Sequence, residues 1–541
     1  MGVALWHMGL VRDAERNYMK ALEVLGNDTT EAILARKVTT YGNLGVMWQN
    51  AGDFARSKNY YNESLLNSDR IIATTKDPAA RDEAIVNRSR TYLNLATVFH
   101  QYGDEGRARE LLELVWADRS AVLEPDDPQL LAVQERMADI ELSAGALEKA
   151  EELVEAYVVA CERKYGRRSE EYIRACSKMG DIAMRRGNTA RADSLFSISI
   201  AAGRLNADES TDVILAGTLQ SRAQLEQDAG QLDAALVDLQ QARSILVKVN
   251  GPTHYSVAKC DAMLAQAFFR KGDMRKATAQ ARSALDLLQH RVLALKANEL
   301  PQSFPAPELV PEAIYWKVRA ERAWAGSEMT GKAWNEDIDL AISSLARNKS
   351  AMRDEASKLL LIGARRNLFE LALDLAYEEY AISGNDMDLE RFINLSEADR
   401  SILLKDRLNG FAGIRFAGLP DAVIEREQEL YADLDLDAGD RSTIRDLPKR
   451  EKAYSDFLSL LERDHPDYFK LRYAEPHITL ADIRKHLLTP ERQLLGYTKT
   501  GSSLYAWVVD LDGDTIIRLE HAGISDAVKA LNTAVMAREA A

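Results

Sequence analysis

Apolar and polar positions along residues 1–290 follow a helical period that breaks and restarts at glycines. The stretches MWQNAGDFARS, VFHQYGDEGRA, IELSAGALEKA, IAMRRGNTARA, LEQDAGQLDAA and AFFRKGDMRKA share this form. Their glycines are Gly52, Gly103, Gly145, Gly187, Gly230 and Gly272, with an earlier relative at Gly9, and successive separations are 43, 51, 42, 42, 43 and 42. Glycine takes positive φ at no steric cost, so it closes one helix and lets the next begin. The spacing therefore predicts a series of helix-turn-helix units. Seven residues before each glycine stands a small residue (Gly45, Ala96, Ala138, Gly180, Ala223, Ala265), and five after it another (Ser57, Ala108, Ala150, Ala192, Ala235, Ala277). Small side chains at those positions let paired helices approach closely, while Trp48, Phe99, Phe268, Tyr61 and Phe196 fill the space between them.

This order of small, apolar and aromatic positions resembles the tetratricopeptide repeat family over residues 1–290. The usual unit of about 34 residues is exceeded here by about two helical turns. The longer period, with Asn43-Leu44-Gly45, Asn94-Leu95-Ala96 and the linker Gly251-Pro252-Thr253-His254, looks like the kinesin-light-chain type. The resemblance implies a mainly α chain, a right-handed α-solenoid whose concave face binds peptides. Counted from the glycines, the first helix of each unit turns Asn43, Asn50, Asn94, His100, Gln101, Arg136, Asp139, Arg174, Lys178, Asp181, Arg185, Lys259 and Arg270 toward that face. Side-chain amides can hold a peptide backbone without reading its sequence. Arg174, Lys178 and Arg185 share one helix face and form a local positive stripe. Either that stripe receives an acidic peptide or a terminal carboxylate, or it is a solvated face balanced by nearby Glu and Asp.

Counting back from Gly9, the first unit holds only half of its opening helix, and the apolar start MGVALW is unlike the polar cap of an array. The expectation is an N-terminus that is incomplete or follows a misassigned start. Residues 291–312 carry Pro301, Pro305, Pro307 and Pro311 and read as a long loop or boundary. Helical patterning resumes over 313–386 without the 42-residue register, as degenerate repeats in which Tyr315, Trp316, Trp324 and Trp334 are expected in the core.

A second resemblance covers residues 387–541. A helix with Ser-Glu-x-x-Arg-Ser is followed by a Gly-Leu-Pro helix start, a His-Pro-x-Tyr turn, Thr-Leu-x-Asp-Ile and a strand carrying Leu-Tyr-Ala-Trp-Val-Val. Together these look like the opening portion of the CHAT domain, a caspase-like α/β module that follows such arrays in bacteria. The residues alone give strands at 493–498, 504–510 and 515–519, turns at Thr-Gly-Ser-Ser and Asp512-Gly513, and a helix from Ser525 to Ala534. The sheet would be left incomplete.

Chemistry is sparse. The resemblance would place a catalytic His and Cys in Thr-His-Gly-like and Ser-Ala-Cys-like turns, and neither occurs, so no catalytic residue is assigned and the chain is expected to be inactive as a peptidase. Cys161, Cys176 and Cys260 lie in the repeats and read as buried thiols of a reducing compartment. His465, His477, His486 and His521 have no cysteine on a nearby strand. The run Asp433, Asp435, Asp437 lacks the Gly and bidentate Glu of a calcium loop, and no metal or cofactor is expected. The 541 residues carry 69 Lys and Arg against 84 Asp and Glu, a balance of −15, which disfavours nucleic acid and anionic membrane as partners. Without an apolar run of about 18 residues or a basic-then-apolar start, the chain reads as cytoplasmic. Two functions fit: the sensor arm of a CHAT-type cysteine peptidase with a protein or peptide ligand, or a stand-alone adaptor. The sequence does not set the oligomeric state.

Overall fold

The structure is a computed structural model in which residues 2, 11–50, 54–101, 103–205, 209–289, 309–326, 331–351, 366–410, 419–436, 441–466, 468–469, 478–501, 503–511 and 513–519 are described. It divides into two compact units, one of residues 1–326, 339–363 and 421–457, the other of residues 327–338, 364–420 and 458–541. This division cuts across the 387–541 block drawn from the sequence.

The first unit is helical and built in pairs: α1 (Val11–Leu25), α2 (Glu31–Asn50), α3 (Phe54–Thr74), α4 (Pro78–Gln101), α5 (Glu105–Ser120), α6 (Pro128–Ser143) and α7 (Leu147–Tyr165). The series continues with α8 (Glu170–Arg185), α9 (Thr189–Leu205), α10 (Glu209–Asp228), α11 (Leu232–Asn250), α12 (Tyr255–Lys271) and α13 (Met274–Leu287). The glycines separate the helices of each pair as the spacing predicts, giving a tetratricopeptide-like stack. Gly103, Gly145, Gly187, Gly230 and Gly272 adopt φ between +76° and +87°, while Gly9 and Gly52 lie outside the described residues. The residue after the glycine often caps the second helix: Asp104 accepts from the Arg107 amide and Asp273 from that of Lys276.

Two positions fix how closely the helices of a pair approach. The small residue seven before the glycine faces the residue nine after it, and their volumes are complementary. A Cβ at Gly45 would lie 2.4 Å from the Tyr61 ring, and one at Gly180 would lie 2.5 Å from the Phe196 ring. Where alanine stands at the first position, the second is Leu112, Val154, Leu239 or Ala281, and all of these are buried. The Ala265 and Ala281 pair leaves the most room, and Trp316 of α14 (Leu309–Ala325) packs against both. Pro311 falls in the first turn of α14, where the missing N–H breaks no helical hydrogen bond; the rest of the proline cluster, residues 291–308, is outside the described residues.

Trp316 and Trp334 are buried as expected, whereas Trp324 is 57% exposed. Eight residues rotate it by about 80° around the helix from Trp316, off the packed face. The stretch α18 (Asp421–Ala432), α19 (Ser442–Arg445) and the first part of α20 (Leu447–Asp464) belongs to this unit. Its Leu436, Ile444 and Leu447 join the core formed by Tyr92, Leu111 and Val115.

Between them in sequence lie α15 (Asn335–Ala351), α16 (Arg366–Ser383) and α17 (Asp386–Gly410), and the second unit is built on the last two with α21 (Leu480–His486) and a sheet. The sheet has order β1-β2-β3, both pairings antiparallel, with β1 Leu494–Lys499, β2 Leu504–Val509 and β3 Thr515–Leu519. Thr500 and Ser503 close the predicted hairpin with a 2.8 Å backbone bond. Tyr505 packs against Tyr377 and Phe392, and its hydroxyl donates to Asp374. Asn394 of α17 both donates to and accepts from the Ile478 backbone. Among the described residues the sheet ends at three strands; the expected helix from Ser525 lies outside them. No helix among the described residues is long and apolar enough to cross a membrane.

The volume match is testable. Gly180→Val should lower stability by about 1–3 kcal/mol through overpacking against Phe196, read as a shift in urea midpoint, and Phe196→Leu should recover part of it. An unchanged midpoint would show that this contact does not set the helix spacing.

Candidate peptide-binding surface

Residues two, six, nine and thirteen before each glycine recur on one face of the first helix, since these intervals follow whole and near-whole helical turns. On this face Asn43, Asn94, Arg136 and Lys178 hold the ninth position, Arg174 and Lys259 the thirteenth, and Asn50, Gln101, Arg185 and Arg270 the second. His100 is one residue from Gln101.

Several of these side chains bridge consecutive first helices. Gln49 Nε2 of α2 donates to Gln101 Oε1 of α4 at 3.0 Å. Lys178 of α8 contacts Asp139 of α6 and stands 3.4 Å from Glu135. Arg174 contacts Glu170 and stands 3.5 Å from Glu135, and Arg136 is 3.8 Å from Asp139. Arg185 donates to the Leu142 carbonyl at 2.8 Å, and Arg270 pairs with Asp228 at 2.9 Å. His100 Nδ1 is 2.8 Å from Glu105.

Two cations of the positive stripe, Arg174 and Lys178, thus join Arg136 in meeting three carboxylates, Glu135, Asp139 and Glu170, while its third member, Arg185, is held by the Leu142 carbonyl. Burial acts to raise the Asp139 pKa, but the charges of Lys178 and Arg136 outweigh it and hold the carboxyl below its ordinary value. Asp181 moves the other way, its carboxyl pushed up by burial. Gln49 and Glu135 were not singled out from the sequence, although their register beside Asn50 and Arg136 was available.

Asn43 and Asn94 are half-buried, Lys259 is exposed, and none of the three has a side-chain hydrogen bond or ion pair among the described residues. The Asn50 side chain lies outside what is described. The face therefore offers amides and one lysine in a frame of matched ion pairs.

The second helices carry a different polar set. Glu451 of α20 takes Lys58 of α3 at 2.6 Å and Arg107 of α5 at 3.3 Å. Arg441 lies on Asp118, and Asn62 Nδ2 donates to the Arg445 carbonyl at 2.8 Å. No sequence motif announced these contacts.

All three cysteines are buried free thiols. Burial pushes Cys161 up to about 11 and Cys260 up to about 12, and raises Cys176, far from the thiolate form a nucleophile needs. Among the described residues no cluster of His, Cys, Asp or Glu could hold a metal.

Residues 215–290, from within α10 through α13, match the tetratricopeptide repeat family. A comparison with curated proteins finds no match. Several solved structures are similar. One is a protein of Podosopora anserina described as a kinesin light chain with nearly identical TPR-like repeats: 22% identity, TM-score 0.30, covering 38% of this chain and 96% of that one. Another is BtubC (BKLC) from P. vanneervenii: 16% identity, TM-score 0.34, covering 44% and 91%. A third is a Rap protein complexed with competence and sporulation factor: 11% identity, TM-score 0.45, covering 74% and 97%.

The Glu451 contact carries a pH dependence. Burial acts to raise its pKa, but the charges and hydrogen bonds of Lys58 and Arg107 outweigh this and depress it. A depressed folded value means the contact contributes fully above the unfolded carboxylate value of about 4.3 and is lost as pH falls through the lower folded value. Hydrogen exchange of residues 447–457 should therefore accelerate below about pH 4 before the repeats lose protection. Simultaneous loss would refute a separable contact.

Proposed function

We propose that the repeat array is a scaffold that binds a peptide or protein across the first-helix face, the concave face of the family it resembles. The observation that carries this reading is the recurrence of open amides, Asn43 and Asn94, at one register of a face on which Gln101, Asp139, Arg174 and Lys178 are already paired. A buried or half-buried amide without a partner is costly to leave unmade, so a backbone that supplies donors and acceptors gains from lying there. An acidic group on the ligand would meet Lys259, since Arg174 and Lys178 hold carboxylates of their own helix layer.

The finer reading makes the array the sensor arm of a CHAT-type peptidase, with residues 387–541 as the opening of that module. The order of α17, α21 and an antiparallel hairpin supports it. Coding sequence beyond Ala541 with His and Cys motifs would favour this role, and a stop codon there would favour the adaptor.

The test of the binding reading begins with peptides selected against the intact chain from a displayed random library. Asn43→Ala with Asn94→Ala should weaken a selected peptide about tenfold, the worth of one or two net hydrogen bonds. Lys259→Glu should weaken acidic peptides alone. Affinities unchanged in both variants would sink the assignment of this face.

A further inference from the structure

One device recurs across the turn between the two helices of a unit. Four residues before the glycine an aromatic side chain lies under a cation four residues after it. Arg56 sits 4.3 Å from the Trp48 ring centre, Arg107 is 5.1 Å from Phe99, and Lys276 is 5.3 Å from Phe268. The aromatic forms the floor of a groove between the second helices of consecutive units, and the cation stands on its wall.

In two of the three grooves a carboxylate completes the arrangement. Glu15 of α1 accepts from the Trp48 indole N–H at 3.1 Å and from the Tyr60 hydroxyl at 2.9 Å. In the groove between α3 and α5, Glu451 is held by Lys58 and Arg107. There the occupant is a helical segment of the chain itself, with Leu447 one turn before Glu451 and buried at 1% exposure. Asn62 fixes its backbone through the Arg445 carbonyl.

The third groove, between α11 and α13, is a cavity of about 590 Å³. Its lining repeats the occupied groove position by position. Phe268 replaces Phe99, Lys276 replaces Arg107, Leu236 replaces Lys58 and Gln240 replaces Asn62. Val237 on its wall is 62% exposed, and Gln280 Oε1 is buried without a hydrogen-bond partner among the described residues. The bidentate pair of Arg243 and Asp261 lies at the far end, so the open length suits a short helix.

We propose that this groove docks an amphipathic helical segment of a partner protein in which an acidic residue follows an apolar one by one turn. The apolar side chain covers Val237 and Leu236, and the carboxylate takes Lys276 above the Phe268 ring. Among the described residues, Lys276 is otherwise engaged with its neighbour Asp273 at 3.1 Å, a solvent-exposed i,i+3 contact that a better-desolvated carboxylate displaces readily. This surface is independent of the first-helix face and stands or falls separately.

The probe is a labelled peptide of residues 441–457, whose docked geometry in the sister groove is known, titrated onto the intact chain by fluorescence anisotropy. Saturable one-to-one binding is expected, weakened about tenfold or more by Lys276→Glu and by Val237→Lys, in line with loss of one charge-assisted contact. Both positions are exposed, so the variants should keep the parental melting temperature. The charge-reversed peptide E451K should bind poorly to the parent and regain affinity for Lys276→Glu. No binding, or binding indifferent to both variants, overturns the proposal. Self-association of the chain that is lost in both Lys276→Glu and Glu451→Lys would identify a second copy as the occupant, and would overturn the assignment to a separate partner.

Discussion

The distance between the two helices of a unit is set by one complementary pair of volumes, and the rest of the array depends on it. Glycine faces an aromatic ring at Gly45 with Tyr61 and at Gly180 with Phe196, while alanine faces an aliphatic side chain elsewhere. Close packing tolerates little departure from this sum, because a void loses contacts and an excess atom forces a side chain off its rotamer. The constraint explains why two different residue types alternate at the small position without changing the repeat. It also explains the end of the regular register: the doubly small pair Ala265 and Ala281 receives Trp316 from the next helix.

The array was legible because its signals are periodic. Turn glycines and small residues at fixed offsets each repeat, so that chance resemblance at one unit is corrected by the others. The three strands were legible for a different reason: β-rich runs bounded by turn residues specify a hairpin locally. The positive stripe was half legible. Arg174 and Lys178 share a face by spacing, but their neutralisation by Glu135 and Asp139 is a contact between helices 39 to 43 residues apart, visible only if the acids are placed in the same register. The seat of residues 421–457 was not legible. Helical patterning tells that Ile444 and Leu447 need an apolar surface, not that the surface is offered by α3, α4 and α5.

The two sides of the array differ in chemistry. First helices meet through amides and ion pairs that leave a few polar groups open, a surface suited to an extended backbone. Second helices meet across grooves with aromatic floors and cationic walls, a surface suited to a side chain pair on a helix. A solenoid can serve both because each unit contacts only its neighbours, so substitutions on one side need not disturb the other.

Nearest-neighbour contacts also give the chain an order of assembly. The repeats can close one after another as synthesis proceeds, since their partners lie within a unit or the next. The clasp of Lys58 and Arg107 on Glu451 spans hundreds of residues and must wait until α20 emerges. During that interval the groove over Phe99 is complete but vacant, which makes the nascent chain, unlike the finished one, a molecule with a second receptive aromatic groove.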